Sequence, residues 1–120
     1  MAEIRELMHA NLLEVFGERD PERRRAAIAR TYHPDVRFSD PDELVTGHEA
    51  LHAKAGRLLE EAPGFAFAPR GDIHVNHDLG YLTWVFDPEG QPPVVQGVDI
   101  ALVRDGLIAS VYTLLLEGGG

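Results

Sequence analysis

An α+β fold is what this 120-residue sequence predicts, with three helices covering one face of a curved, mostly antiparallel sheet. Three observations carry that expectation. Apolar residues recur at three- and four-residue steps in the first half of the chain, and the second half breaks into short β-type runs. Turn-forming Gly, Pro and Asp residues separate those runs, and helical segments mostly precede them instead of alternating with them. A hydrophobic share of 44% is enough to give a chain of this length a real core, so residues 1–120 are expected to form one domain.

Each element follows from a local pattern. Ile4, Leu7, Met8, Leu12, Val15 and Phe16 form an apolar stripe, with Glu3, Arg5, Glu6 and Glu14 elsewhere, which predicts an amphipathic helix running to about Gly17. Asp20-Pro21 opens a second helix, since an aspartate oxygen accepts orphan backbone N–H groups and proline needs no N–H at the first position. Pro34 ends that helix at about Tyr32 or His33. The stretch VRFSD alternates and stops at Pro41, predicting a short strand with Val36, Phe38 and Asp40 on one face. A third helix fits from about Gly47 to Ala62, closed by Pro63-Gly64. Strands are expected at about 65–69, 72–77, 80–87, 94–104 and 107–116, with turns at DPEGQPP and RDG. The terminal Gly118-Gly119-Gly120 is expected to be loose.

Composition excludes several classes of function. Eleven Lys and Arg against twenty Asp and Glu give a net charge of −9, which repels phosphate backbones and anionic lipid, so neither nucleic acid nor a membrane is an expected partner. There is no cysteine for a disulfide or a thiolate nucleophile. The start MAEIREL lacks the apolar core of a secretory signal, and no window is long and apolar enough to span a bilayer, so a cytoplasmic protein is expected.

His48-Glu49-Ala50-Leu51-His52 satisfies H-E-x-x-H, in which two helical imidazoles hold zinc and the glutamate acts as general base. A zinc site needs a third ligand, and His9, His33, His74 and His77 are scattered with no second ligand spacing. Helix start and core packing explain the segment more simply, so no metal is expected there. His74 and His77 have opposite strand parity, so at most one of them faces a pocket.

The aspartates on the strands are stranger. Asp99 sits in mid-strand among apolar neighbours, where an ionised carboxylate is costly unless paired or near water. Asp40 ends the earlier strand on the face of Phe38. Such carboxyl groups either satisfy local backbone groups, as Asp-Pro commonly does, or line a cavity as acid and base. Burial and an ionised neighbour would both raise the pKa of Asp99.

The run TYHPDVRFSDPDELVTGHEAL followed by GVDIALVRDGLIASV resembles the nuclear transport factor 2-like superfamily in its SnoaL-like and ketosteroid isomerase-like branches, over about residues 3–117. That resemblance implies a cone-shaped α+β half-barrel, three N-terminal helices packed on the sheet to enclose a pocket, and a homodimer. Gly47-His48-Glu49-Ala50-Leu51 falls on the family's helix start. Asp40 falls on the proton-shuttling base of ketosteroid isomerases, and Asp99 on the aspartic acid that donates to the developing enolate oxygen; the handling of those two groups is a known pattern of acid-base tuning. The expected ligand contacts are Leu12, Phe16, Tyr32, Phe38, Trp84, Phe86 and Tyr112. Two departures stand out. The isomerases' first-helix tyrosine corresponds to Leu12, which has no donor, and the final-strand aspartate of polyketide cyclases falls at Leu114 and Leu115. If buried, the Trp84 N–H needs a partner and is a candidate replacement donor.

Two functions are therefore expected to compete. One is cofactor-independent proton transfer next to a carbonyl of a small, largely apolar molecule, giving isomerisation, cyclisation or dehydration, with Asp40 as base and Asp99 as acid. The other is non-catalytic binding of a small hydrophobic ligand that Asp99 merely anchors. A third, purely structural view makes the sheet an assembly surface. Val98, Ile100 and Leu102 oppose the pocket-facing residues and mark the outer face as the homodimer surface.

Overall fold

The computed structural model describes residues 3–88, 90 and 95–116; the expected loose tail at 118–120 and part of the DPEGQPP turn lie outside them. The first helix starts as α1 (Ile4–His9) and widens into a π-helical segment, Ala10–Phe16, which the apolar spacing did not foreshadow. Ala10, Asn11, Leu12, Val15 and Phe16 are all buried in that segment, a broad inward face that includes one amide among hydrocarbons. In α2 (Pro21–Thr31) the Asp20 carboxylate accepts from the Glu22 N–H at 3.1 Å, and proline occupies the first turn.

Gly47 starts α3 (His48–Glu61) at φ 92° and ψ 165°, a backbone region that essentially only glycine enters. Its N–H donates to the Val36 carbonyl at 2.8 Å, so the residue before HEALH is set by the route of the chain into the helix.

The strands are β1 (Tyr32–Ser39), β2 (Leu44–Thr46), β3 (Phe65–Pro69), β4 (His74–Asn76), β5 (Leu79–Pro88), β6 (Val95–Arg104) and β7 (Leu107–Leu116). They form one open, curved sheet in the order β2-β1-β7-β6-β5-β3, with β4 also pairing β5. Every pairing is antiparallel except β1 with β7, which brings the first strand beside the last. Asp105 and Gly106, at φ 55° and 78°, make the two-residue turn from β6 to β7 that the RDG stretch predicts.

Three details differ from the sequence-based expectation. The first strand begins at Tyr32, not Val36, because a register shift against β7 between Tyr32 and Arg37 accommodates Pro34, which has no N–H to give a ladder. β2, only three residues long, pairs with β1 where a loop is expected, and an isolated three-residue run carries too little periodicity to announce itself. Lys54 joins Leu51, Ala55 and Leu59 on the buried face of α3.

The helices cover the concave face of the sheet, where Leu7, Met8, Leu12, Val15, Ile28, Leu51, Leu82, Ile108 and Val111 form the core. On the opposite face Tyr81, Tyr112, Leu114 and Leu116 are exposed. Val98, expected there as part of a subunit contact, is already buried between its neighbours. No helix among the described residues is long and apolar enough to cross a membrane.

Candidate functional site

Between the sheet and the helices lies a cavity of about 260 Å³. Of the residues expected to contact a ligand, Leu12, Phe16, Phe38, Trp84 and Phe86 line it, as do both Asp40 and Asp99. Two do not. Tyr112 pairs with Ile100 on the outer face, because neighbours on a strand point to opposite sides and Thr113 takes the inward place. Tyr32 is fully buried one layer behind the wall. Leu58, Phe67, Val95, Thr113 and Leu115 line the cavity without having been anticipated, and Pro41 and Asp42 complete it.

The walls are mainly aromatic. Phe16 stacks on Phe38 with ring centroids 4.9 Å apart, Phe67 stacks on Phe86 at 4.1 Å, and Phe67 meets Trp84 edge-on at 5.2 Å. Among the described residues no basic one lines the cavity; the ionisable groups there are Asp40, Asp42 and Asp99.

Asp99 is 5% exposed and set on β6 between Leu82 of β5 and Thr113 of β7. Each carboxyl oxygen has a protein donor: Thr113 Oγ1 to Oδ1 at 2.7 Å and Asn11 Nδ2 to Oδ2 at 2.8 Å. Asn11 Oδ1 in turn accepts from the Tyr32 hydroxyl, which fixes which end of the amide faces Asp99. Burial raises the pKa of the Asp99 carboxyl, and the hydrogen bonds from Thr113 and Asn11, with the nearby Trp84 N–H, only partly offset it. Burial and then the neighbouring Asp99 charge hold the Tyr32 phenol well above its ordinary value. The Trp84 indole N–H leans toward Asp99 closely enough to favour the carboxylate, yet closes no hydrogen bond. Among the described residues it is the one buried side-chain polar atom left unpartnered, a state that costs about 1–3 kcal/mol.

Asp40 is arranged quite differently. Its Oδ1 accepts from the N–H groups of Asp42 (2.9 Å) and Glu43 (3.0 Å), and its Oδ2 lies 2.7 Å from the Lys54 ammonium. The turn role and the cavity-lining role, posed as alternatives by the sequence, coexist. Burial pushes the Asp40 carboxyl up, but Lys54 and the two N–H groups outweigh it and hold the group below the usual carboxylate range. Lys54 is itself buried, lies 3.1 Å from Glu43 and sits 5.9 Å above the Phe38 ring.

The H-E-x-x-H histidines are engaged elsewhere. His48 Nε2 donates to the carbonyls of Tyr32 and His33, both at 3.0 Å, tying α3 to β1. His52 Nδ1 accepts from Arg24 Nε at 3.3 Å, and burial and then the charges of Arg24 and Arg25 hold its pKa down. Glu49 pairs with Arg25 at the surface. Neither His74 nor His77 lines the cavity.

Asn11, Thr113 and Lys54 are the polar residues at the site that the sequence reading passed over. Each left a signal: Asn11 and Lys54 interrupt apolar helical stripes, and Thr113 has the inward parity of the last strand.

A SnoaL-like domain family matches residues 9–111, and the chain belongs to that family. The fold it defines is the nuclear transport factor 2-like one, and the solved structures agree. A provisionally named isomerase of the SnoaL-like family from Agrobacterium tumefaciens superposes with a TM-score of 0.87 at 21% identity, covering 92% of this chain and 95% of the other. A provisionally named polyketide cyclase from Sinorhizobium meliloti gives 0.71 at 16% identity, with 90% and 93% covered. A provisionally named ketosteroid isomerase from Kribbella flavida gives 0.68 at 21% identity, with 97% and 79% covered. These likenesses concern the fold. No curated protein is significantly similar in sequence.

The Asp40–Lys54 pair yields a pH-dependent prediction. A carboxyl whose folded pKa is lowered contributes stability above its unfolded pKa, about 3.9, and that contribution is lost as pH falls through the folded value. Lys54→Met leaves the half-buried Asp40 without its counter-charge, so it should cost about 1–3 kcal/mol near neutral pH and much less near pH 3. Urea unfolding of both proteins at the two pH values checks this; an equal loss at both would show that Lys54 acts by packing alone.

Proposed function

We propose that the cavity binds a small, neutral, largely apolar molecule by its carbonyl group and moves a proton next to that carbonyl. The observation that carries this reading is the buried Asp99 carboxyl with the unpartnered Trp84 N–H beside it on the wall of an aromatic cavity. An indole N–H and a neutral carboxylic acid are both donors, and a carbonyl oxygen that gains charge as an enolate forms would accept from both. Anionic ligands are disfavoured by three aspartates and, among the described residues, no cationic side chain on the walls. At about 260 Å³ the cavity lies just below the ~300 Å³ at which pockets for drug-sized ligands begin, which suits a one- or two-ring molecule.

In this reading Asp40, kept ionised, takes the proton α to the carbonyl. The electrons move to the oxygen held by Asp99 and Trp84, and the proton returns to carbon or oxygen according to the substrate. The reaction needs no cofactor. Isomerisation, cyclisation and dehydration all share that first step.

A second reading, binding without turnover, is favoured by one feature. Lys54 and the two backbone N–H groups stabilise the Asp40 carboxylate and so weaken it as a base. The two are separated with 1-tetralone in D₂O: proton transfer predicts exchange of the α-protons, followed by NMR. Asp40→Asn and Asp99→Asn should each slow that exchange about 100-fold or more. Saturable binding with no exchange above buffer would overturn catalysis and leave the binding reading.

We also propose a homodimer through the outer sheet face, where Tyr81, Tyr112, Leu114 and Leu116 stand side by side with Ile100 and Leu102. Tyr112→Glu with Leu114→Glu should give a folded monomer in light scattering. A monomer mass for the unaltered chain at micromolar concentration would contradict the proposal.

A further inference from the structure

Gly97 lies in the middle of β6, directly opposite Trp84 of β5. Glycine in a strand interior has no side chain to pack and ordinarily weakens the strand by about 0.5–1 kcal/mol relative to alanine. Nothing at this position asks for a turn. What occupies the missing side chain's place is the indole: a β-carbon on Gly97 would stand 2.4 Å from Trp84 Cζ2, 2.6 Å from Cη2 and 2.8 Å from Cε2.

Those distances are too short for any real contact, and the ring has little freedom to retreat. Trp84 is 5% exposed, and Phe67 presses edge-on against it at 5.2 Å. Gly80 makes a useful contrast, since its β-carbon would meet the flexible side chains of Met8 and Ile4 at 2.8–2.9 Å. Cε2, one of the two ring carbons bonded to the N–H nitrogen, is among the atoms lying over Gly97, and Asp99 is two residues further along the same face of β6. The glycine thus controls the tilt of the indole at the edge that carries its buried, unpartnered N–H beside Asp99.

We propose that Gly97 is a positioning residue of this cavity: its bare α-carbon is the seat of the Trp84 indole, and that seat aims the N–H at the acceptor atom of a bound ligand. The aiming rests on the reading that the cavity takes a neutral carbonyl compound; the seating does not. Gly97 touches no ligand itself and acts through Trp84. Its consequence is selectivity, because an aimed donor left unpartnered penalises a ligand of the same shape that lacks the oxygen.

The test uses the full chain and two probes of one skeleton, 1-tetralone and tetralin, with Gly97→Ala, Trp84→Ala and the double variant. The sequence has one tryptophan, so one indole N–H resonance reports the ring's placement. In wild type, calorimetry should show 1-tetralone preferred about tenfold. In Gly97→Ala the indole resonance should move and the preference should fall close to one, with tetralin still bound. The same substitution should lower Tm by roughly 4–8 °C or more, yet lower it no further in the Trp84→Ala background, where the vacated space admits a methyl group. That comparison holds even if Gly97→Ala alone fails to fold. An equal loss of Tm in both backgrounds overturns the seating, and an unmoved resonance with the preference intact overturns both seating and aiming. Wild type that binds both probes equally overturns the carbonyl reading and the aiming, while the Tm comparison still decides the seating.

Discussion

A carboxyl group that is 5% exposed on the wall of an aromatic cavity is the constraint around which this molecule is arranged. An ionised carboxylate in such a place loses several kcal/mol of hydration, so the chain must supply donors or leave the group neutral. Thr113 and Asn11 take one oxygen apiece, Tyr32 orients Asn11, and burial still prevails in raising the pKa. Those donors come from the first helix, the first strand and the last strand. The parallel β1–β7 pairing and the packing of the π-helical segment on the sheet are therefore what assemble the site.

Asp99 on β6 and Asp40, just past the end of β1, are driven apart by their surroundings. Asp99 has neutral donors and deep burial, so it binds its proton more tightly than a free carboxyl. Asp40 has an ammonium at 2.7 Å and two backbone N–H groups, so it binds its proton less tightly. Two carboxyl groups with opposed proton affinities on one cavity are the arrangement from which acid and base roles are drawn. Lys54 sets the strength of that contrast.

Much of the fold was legible because it rests on periodicity. The stripes of the three helices, the Asp20 cap and the Asp105-Gly106 turn are local signals, and the last three strands fall within a residue or two of their expected limits. Asp99 was legible as an anomaly, a charge in the middle of an apolar strand. What was not legible depends on tertiary contact. The widening of the first helix, the partners Asn11 and Lys54, and the burial of Tyr32 behind the cavity are decided by elements distant in sequence. Tyr112 was misplaced by one step of strand parity, which moves a side chain to the opposite face.

Asp99 is expected to hold its proton more tightly in the folded protein than in the unfolded chain. An acid whose folded pKa is raised gives stability that is complete below its unfolded pKa, about 3.9, and is lost as pH rises through the folded value. A carboxyl-carbon NMR titration of Asp99, assigned by its absence in Asp99→Asn, measures this directly. The expected midpoint lies above the ordinary aspartate value, and the corresponding pH dependence of stability should be lost in the asparagine variant. A midpoint at or below that range would show that Thr113, Asn11 and Trp84 outweigh burial, and would leave Asp99 an ordinary ionised group with no claim to the acid role.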